Sequence, residues 1–192
     1  FGKVSYSKKS ASRTCFEIPS FEKSAYYSEN NTIYLHYYPA QNPDYNILFV
    51  HGLFDENMLN YEYLIKLLNE LKFNVYFMIM PYHFERKPET SLFSGEYFFS
   101  GDLFRTQNAF KQAVLDIEAC FQFIGNESNL PNILMGFSMG GCVSLRHFVL
   151  NKQETPTFLI NPLTNLSSVI WDSPLLVTIG RDLKNIGLDK EK

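Results

Sequence analysis

Apolar residues along this chain recur with two periods, and the change from one to the other marks out its elements. Residues 31–38 (NTIYLHYY) are β-branched and aromatic and read as a strand. Residues 39–45 carry turn formers and residues 46–50 (NILFV) read as a second strand, so the pair predicts a hairpin or meander, with residues 20–28 as a candidate strand before it. Between 56 and 71, Leu64, Ile65, Leu67, Leu68 and Leu71 fall at helical spacing; the apolar run 74–80, closed by Pro81, then predicts a buried strand. From Asp102 onward, Leu103, Phe110, Val114, Ile117, Phe121 and Ile124 recur at steps of three, four or seven, which predicts a long amphipathic helix ending at Gly125. A strand over 132–135, a helix over 139–150 and a short buried strand over 157–160, broken by Asn161-Pro162, follow. Asp172-Ser173-Pro174 supplies a cap and a proline at the first helical position, predicting a helix through Leu175 to Asn185 that Gly187 stops. Helices alternating with buried strands predict an α/β fold, a mostly parallel sheet covered on both faces.

The longest irregular stretch, 81–101, has the length at which loops tend to carry function. Its Phe93, Tyr97, Phe98 and Phe99 either line a substrate mouth or pack the loop onto the sheet. With 192 residues, 45% hydrophobic and 19% charged, the chain can bury one substantial core, and one domain over 1–192 is expected. A net charge of -3 with scattered lysines and arginines excludes the basic footprint of a nucleic-acid binder. Cys15, Cys120 and Cys142 are odd in number and widely spaced, and His36, His51, His83 and His147 are dispersed, so no disulfide framework, metal site or cofactor is expected. No apolar run is long enough to span a membrane and the first residues lack the pattern of a secretory signal, which makes the cytoplasm the default location, although Phe1 is not an initiator methionine.

Chemistry enters at Gly136-Phe137-Ser138-Met139-Gly140-Gly141, which joins a predicted strand to a predicted helix. A serine thrust from so sharp a turn takes a strained backbone conformation, and glycines two residues to either side leave room for it. The alternative is a glycine-rich turn whose serine merely caps the helix. No Gly-x-Gly-x-x-Gly follows the first strand and no Gly-Lys-Ser or Gly-Lys-Thr is present, so dinucleotide and P-loop folds do not fit.

The order of landmarks, strand 46–50 leading into His51-Gly52-Leu53, a strand ending at Pro81-Tyr82-His83, then the serine turn, resembles that of the α/β-hydrolases. The resemblance implies an α/β-hydrolase-like sheet and a serine hydrolase that forms an acyl-enzyme on Ser138 from a small carboxylic ester, thioester or amide. It implies that the backbone N–H groups of Leu53 and Met139 form the oxyanion hole, and that His51, Gly52, Gly136 and Gly140 shape the two turns. His51 then shapes its turn and is not the general base. His83 is a candidate substrate contact or a loop anchor, with Arg86 and Glu96 as candidate partners for it or for each other.

In that family an acidic residue and then a histidine follow the serine. Here the only later histidine, His147, lies nine residues along the same helix, about 13 Å of axial rise away, and cannot reach back. Asp172 and Asp182 follow no buried strand. The reading is a C-terminally incomplete hydrolase whose acid and base lie beyond Lys192, with 163–192 the start of a cap or crossover segment and the segment alone inactive. The rival is a non-catalytic binding or interaction module on the same fold. Substrate identity and oligomeric state stay open.

Overall fold

β4 (Tyr45–Val50) is buried over five of its six residues, so it needs a packed layer on each face and a paired strand on each edge. The computed structural model, which describes residues 5–10, 13–151 and 154–190, supplies all four. β5 (Phe73–Met78) and β6 (Asn132–Phe137) flank β4 in parallel, and β7 (Thr157–Ile160) extends the parallel set beyond β6. On the other side β3 (Thr32–Tyr38) pairs antiparallel with β5, followed by β2 (Arg13–Pro19) and β1 (Ser5–Ser10), giving a seven-stranded mixed sheet in the order β1-β2-β3-β5-β4-β6-β7.

Alternate residues of β4 serve opposite layers. Ile47 and Phe49 pack with Tyr61, Ile65 and Leu68 of α1 (Leu59–Glu70). Leu48 and Val50 share the larger core with Phe110, Ala113 and Ile117 of α2 (Leu103–Glu127) and Val143 of α3 (Met139–Asn151). The α/β fold with helices on both faces is therefore as expected. No helix among the described residues is long and apolar enough to cross a membrane.

Four local expectations are corrected. β3 and β4 do not form a hairpin, because β5 lies between them; β3 is buried only at alternate positions for most of its length and takes a place further from the centre. The strand before them is not 20–28 but β2, which ends at Pro19, where the ladder loses a donor. α2 runs two residues past Gly125, whose missing side chain meets open space and so costs the helix no packing. β7 leaves Phe158 55% and Ile160 36% exposed rather than buried, since it is the last strand of the described sheet. At the carboxyl end, α4 (Leu166–Asp172) precedes the predicted helix; Ser173 then caps a 3-10 turn opening with Pro174, and α5 (Val177–Asn185) follows. Leu176, Ile179 and Leu183 bury themselves in the larger core.

Candidate functional site

The two loops singled out in the sequence emerge side by side, because β4 and β6 are hydrogen-bonded neighbours with Val50 opposite Gly136. Each strand of the parallel set is followed by non-glycine residues in the left-handed region: Phe54 (φ 61) after β4, Tyr82 (64) and Phe84 (45) after β5, Ser138 (52) after β6 and Asn161 (44) after β7. Such backbone costs on the order of 1–3 kcal/mol per residue and gathers where function demands it. It gathers here at the carboxyl edge of the sheet, where open α/β sheets place their ligands.

Ser138 is held by main chain on both sides. Its N–H donates to the Ile160 carbonyl at 2.9 Å, and its own carbonyl accepts from Leu163 at 3.0 Å and Cys142 at 3.1 Å. Its hydroxyl has no hydrogen-bond partner among the described residues, so it makes no capping bond to the first turn of α3 there. The glycines are required by contact rather than by φ. A Cβ on Gly136 would lie 2.5 Å from both the Gly140 carbonyl and Ser144 Oγ, and one on Gly140 would overlap the carbonyl oxygens of Val50 and His51. The first turn of α3 therefore rests directly on the end of β4, beside the His51-Gly52 turn. The Leu53 and Met139 N–H groups, the two candidate oxyanion donors, have no partner among the described residues.

His51 is fully buried and its ring bonds main chain on both edges: Nε2 accepts from the Met80 N–H at 3.1 Å, so Nδ1 carries the proton and donates to the Gly52 carbonyl at 2.7 Å. Burial, and then the neighbouring His83, hold its pKa well below the usual histidine value. These bonds tie the His51-Gly52 turn to the end of β5 through the Met80 N–H. Two further residues fix the turn and were not singled out in the sequence: the Gly52 N–H is shared between Asp55 Oδ2 at 3.1 Å and Tyr61 Oη at 2.9 Å, and Tyr61 donates to Asp55 at 2.5 Å. Burial raises the pKa of both Asp55 and Tyr61. Neither belongs to a motif; the aspartate three residues past the glycine was the one signal available.

His83 has no exposed surface, so in this structure it is an anchor of the 81–101 loop and offers no face to a substrate. Nδ1 donates to the Pro81 carbonyl at 2.8 Å, Nε2 is unpartnered, and the ring stands edge-on to His51 at 4.8 Å and to Phe98 at 5.4 Å. Arg86 and Glu96 pair neither with it nor with each other. Arg86 is buried against Asp116, and Glu96 accepts from the Ser91 hydroxyl and the Leu92 N–H. Phe98 and Phe99 belong to the core, Tyr97 is half-buried beneath the Arg105 guanidinium, and Phe93 is 40% exposed and packs on Phe54, so Phe93 is the most open of the four. His147 is buried with Nε2 3.5 Å from Glu118, as a packing residue.

The histidines set a pH dependence. Burial lowers the pKa of His83 to about 4, and also lowers those of His51 and His147. An unfolded chain takes up protons on these groups near 6.5 while the folded chain does not, so stability is intact above that value and falls as pH drops. For His83 this amounts to roughly 3 kcal/mol between pH 6.5 and 4. His36 works the other way: burial opposes its charge, but Cys15 and the Glu85 carboxylate 3.0 Å away raise its pKa, a contribution complete below 6.5 and lost as pH rises through the folded value. Urea midpoints are expected to fall from pH 7 to 4, and less steeply in His83→Gln; equal slopes in the two proteins would refute the assignment to His83.

A family model described as alpha/beta hydrolase fold matches residues 45–154, from the first residue of β4 to just beyond α3. Solved structures resemble the chain at low identity. They include a probable hydrolytic enzyme from Pseudomonas aeruginosa PAO1 (18% identity, TM-score 0.55, 84% of this chain and 45% of that one). A cold-adapted esterase from an Arctic intertidal metagenomic library matches with 20% identity and TM-score 0.60, over 95% and 72% of the two chains. A soluble variant of monoglyceride lipase from Saccharomyces cerevisiae matches with 14% identity and TM-score 0.60, over 96% and 53%. The chain thus spans about half the length of the Pseudomonas and yeast proteins. No curated protein matches it. With more than half of its residues in the family match, and with this sheet order, the chain belongs to the alpha/beta hydrolase fold family.

Proposed function

We propose that the protein is a serine hydrolase acting on a carboxylic ester, with thioesters and amides as chemical variants, through an acyl-enzyme on Ser138. The observation that carries this reading is Ser138 itself, a non-glycine residue at φ 52 at the head of α3, whose hydroxyl has no partner among the described residues and which stands on the strand next to the one that leads to the Leu53 N–H, likewise without a partner among them. Ser138 Oγ attacks the carbonyl carbon, and the Met139 and Leu53 N–H groups receive the oxygen that becomes negative. Expulsion of the alcohol leaves the acyl-enzyme, which water then cleaves. Each histidine of the chain is engaged elsewhere, His36 with Glu85, His51 and His83 with main chain and His147 against Glu118, so the proton acceptor for Ser138 is assigned to none of them. In this reading 1–192 form one domain, residues 163–192 begin a cap or crossover segment, and a small-molecule ester is turned over slowly at most by residues 1–192 alone.

An alkyl fluorophosphonate tests the assignment. In the natural full-length protein it is expected to phosphonylate Ser138 stoichiometrically, with labelling abolished in Ser138→Ala and retained in Leu53→Ala, whose backbone donor is unchanged. A well-folded protein that resists the probe would refute a reactive serine and favour the second reading, a binding module on the hydrolase fold.

A further inference from the structure

Three polar atoms close the turn after β4 in a triangle. The Gly52 N–H is shared between Asp55 Oδ2 at 3.1 Å and Tyr61 Oη at 2.9 Å, and the Tyr61 hydroxyl donates to the same carboxylate oxygen at 2.5 Å. Leu53 and Phe54 lie inside the ring that the Gly52–Asp55 bond closes, and Phe54 takes its left-handed backbone there, at φ 61. The following peptide unit is pinned from another side. The Gly52 carbonyl and the Leu53 N–H belong to one planar trans unit and point in opposite directions, and His51 Nδ1 holds that carbonyl at 2.7 Å. Both peptide units that meet at Gly52 are therefore fixed, and with them the direction of the Leu53 N–H.

Tyr61 is the one side chain that reaches from this turn to the serine turn. Its ring is 5% exposed and packs edge-on against Phe49 at 5.3 Å, Phe77 at 5.2 Å and Phe137 at 5.9 Å. Phe137 directly precedes Ser138. Gly52 fits between the two rings, since a Cβ there would lie 3.2 Å from Phe137 Cδ1 and 3.3 Å from Tyr61 Oη. A phenylalanine at 61 would serve the packing equally well. The hydroxyl adds a hold on the backbone next to the Leu53 donor, and Asp55, accepting from that hydroxyl, fixes where it points.

We propose that Tyr61 is a positioning residue for the oxyanion hole: its hydroxyl, oriented by Asp55, sets the Leu53 N–H against the Met139 N–H before a substrate arrives. The inference rests on the hydrolase reading given above and assigns that site two residues of α1 and its preceding loop. Donors stabilise a developing negative oxygen only when they are already aimed at it, and a misplacement of about 1 Å can cost about a hundredfold in rate. Loss of the hydroxyl leaves the Gly52 N–H to Asp55 alone and leaves Asp55 without the donor that orients it. The consequence falls on the transition state and leaves the binding of the probe or substrate nearly unchanged.

Phosphonylation of Ser138 by an alkyl fluorophosphonate, followed in the natural full-length protein, tests this through its limiting rate constant and its half-saturating concentration. Tyr61→Phe, which keeps the ring, is expected to lower the limiting rate at least tenfold, short of the roughly hundred- to thousandfold that removal of a whole donor costs, and to leave the half-saturating concentration within threefold. Asp55→Ala is expected to do the same, and Asp55→Asn, which keeps an acceptor oxygen, to recover most of the loss. The double variant Tyr61→Phe/Asp55→Ala is expected to be no slower than the slower single variant, because both side chains act on one N–H. Circular dichroism and urea midpoints establish that each variant is folded; should Tyr61→Phe fail to fold, Asp55→Ala and Asp55→Asn carry the same comparison. A labelled parent with an equal limiting rate in Tyr61→Phe, a loss carried by the half-saturating concentration alone, or losses that multiply in the double variant would each overturn the proposal while the hydrolase reading stands. A folded parent that resists the probe overturns the hydrolase reading and this inference with it, so the two failures are told apart by the parent.

Discussion

Gly140→Ala is expected to cost at least about 4 kcal/mol, most of the stability of a domain at the low end of the usual range of about 5–15 kcal/mol. The added methyl would overlap two carbonyl oxygens at once, those of Val50 and His51, and both belong to backbone that cannot swing aside. Val50 is paired on either edge, with Met78 of β5 and Gly136 of β6, so relief would have to come from pushing α3 off the sheet. That movement would also part the Met139 and Leu53 donors. Two other glycines calibrate the expectation. Gly141→Ala meets Pro162 at 3.0 Å, a contact that a small shift relieves, and is expected to cost less. Gly125→Ala, in open space inside α2, is expected to stabilise by about 0.5–1 kcal/mol through helix propensity alone. Urea denaturation of the three variants checks the order, and a Gly140→Ala midpoint equal to that of the parent would mean that α3 does not rest on β4 as described.

The serine turn was legible in the sequence because everything it needs is local: a strand, a strained residue, small neighbours and a helix start fall within ten residues. The long periodic elements were legible for the same reason, α2 and the buried runs of β4 and β5 above all. What failed depended on who neighbours whom. No local pattern tells that β5 inserts between β3 and β4, since the hairpin reading and the observed order use the same two strands and the same turn-rich connection. β2 passed unnoticed because Arg13–Pro19 alternates weakly and has a proline at its end. The same limit applies to polar residues. His51 and Leu53 gained meaning only from a family resemblance, and Asp55, Tyr61 and Arg105 gained theirs only from contacts. Charged and hydroxyl side chains carry no periodicity, so their partners, 30 residues away for Arg86 and 96 for Ser20, appear only in the fold.

Arg86 and Asp116 are that case with the larger consequence, and Asp116→Ala is expected to lose about 3–5 kcal/mol. Both side chains are completely buried and meet at 2.7 Å. Arg86 Nη1 also donates to the Ile79 carbonyl and Nη2 to that of Asn30, while Asp116 Oδ1 accepts from the Ser20 hydroxyl at 2.6 Å. Burial raises the Asp116 pKa and the guanidinium only partly offsets this, which marks the pair as expensive to keep dry. Truncating the acid strands a charge that cannot reach water, whereas removing both charges removes both desolvation costs. The double variant Arg86→Met/Asp116→Leu is therefore expected to recover most of the stability lost in Asp116→Ala. Arg86 closes the short 3-10 turn Phe84–Arg86, next to His83 and its contact with His51, so the stranded guanidinium should also loosen the turn that carries Leu53. Denaturation of Arg86→Met, Asp116→Leu and the double variant gives the coupling energy directly. A loss below about 1 kcal/mol in Asp116→Ala, or a double variant weaker than both singles, would show that the pair neither anchors the loop nor carries the cost assigned to its burial.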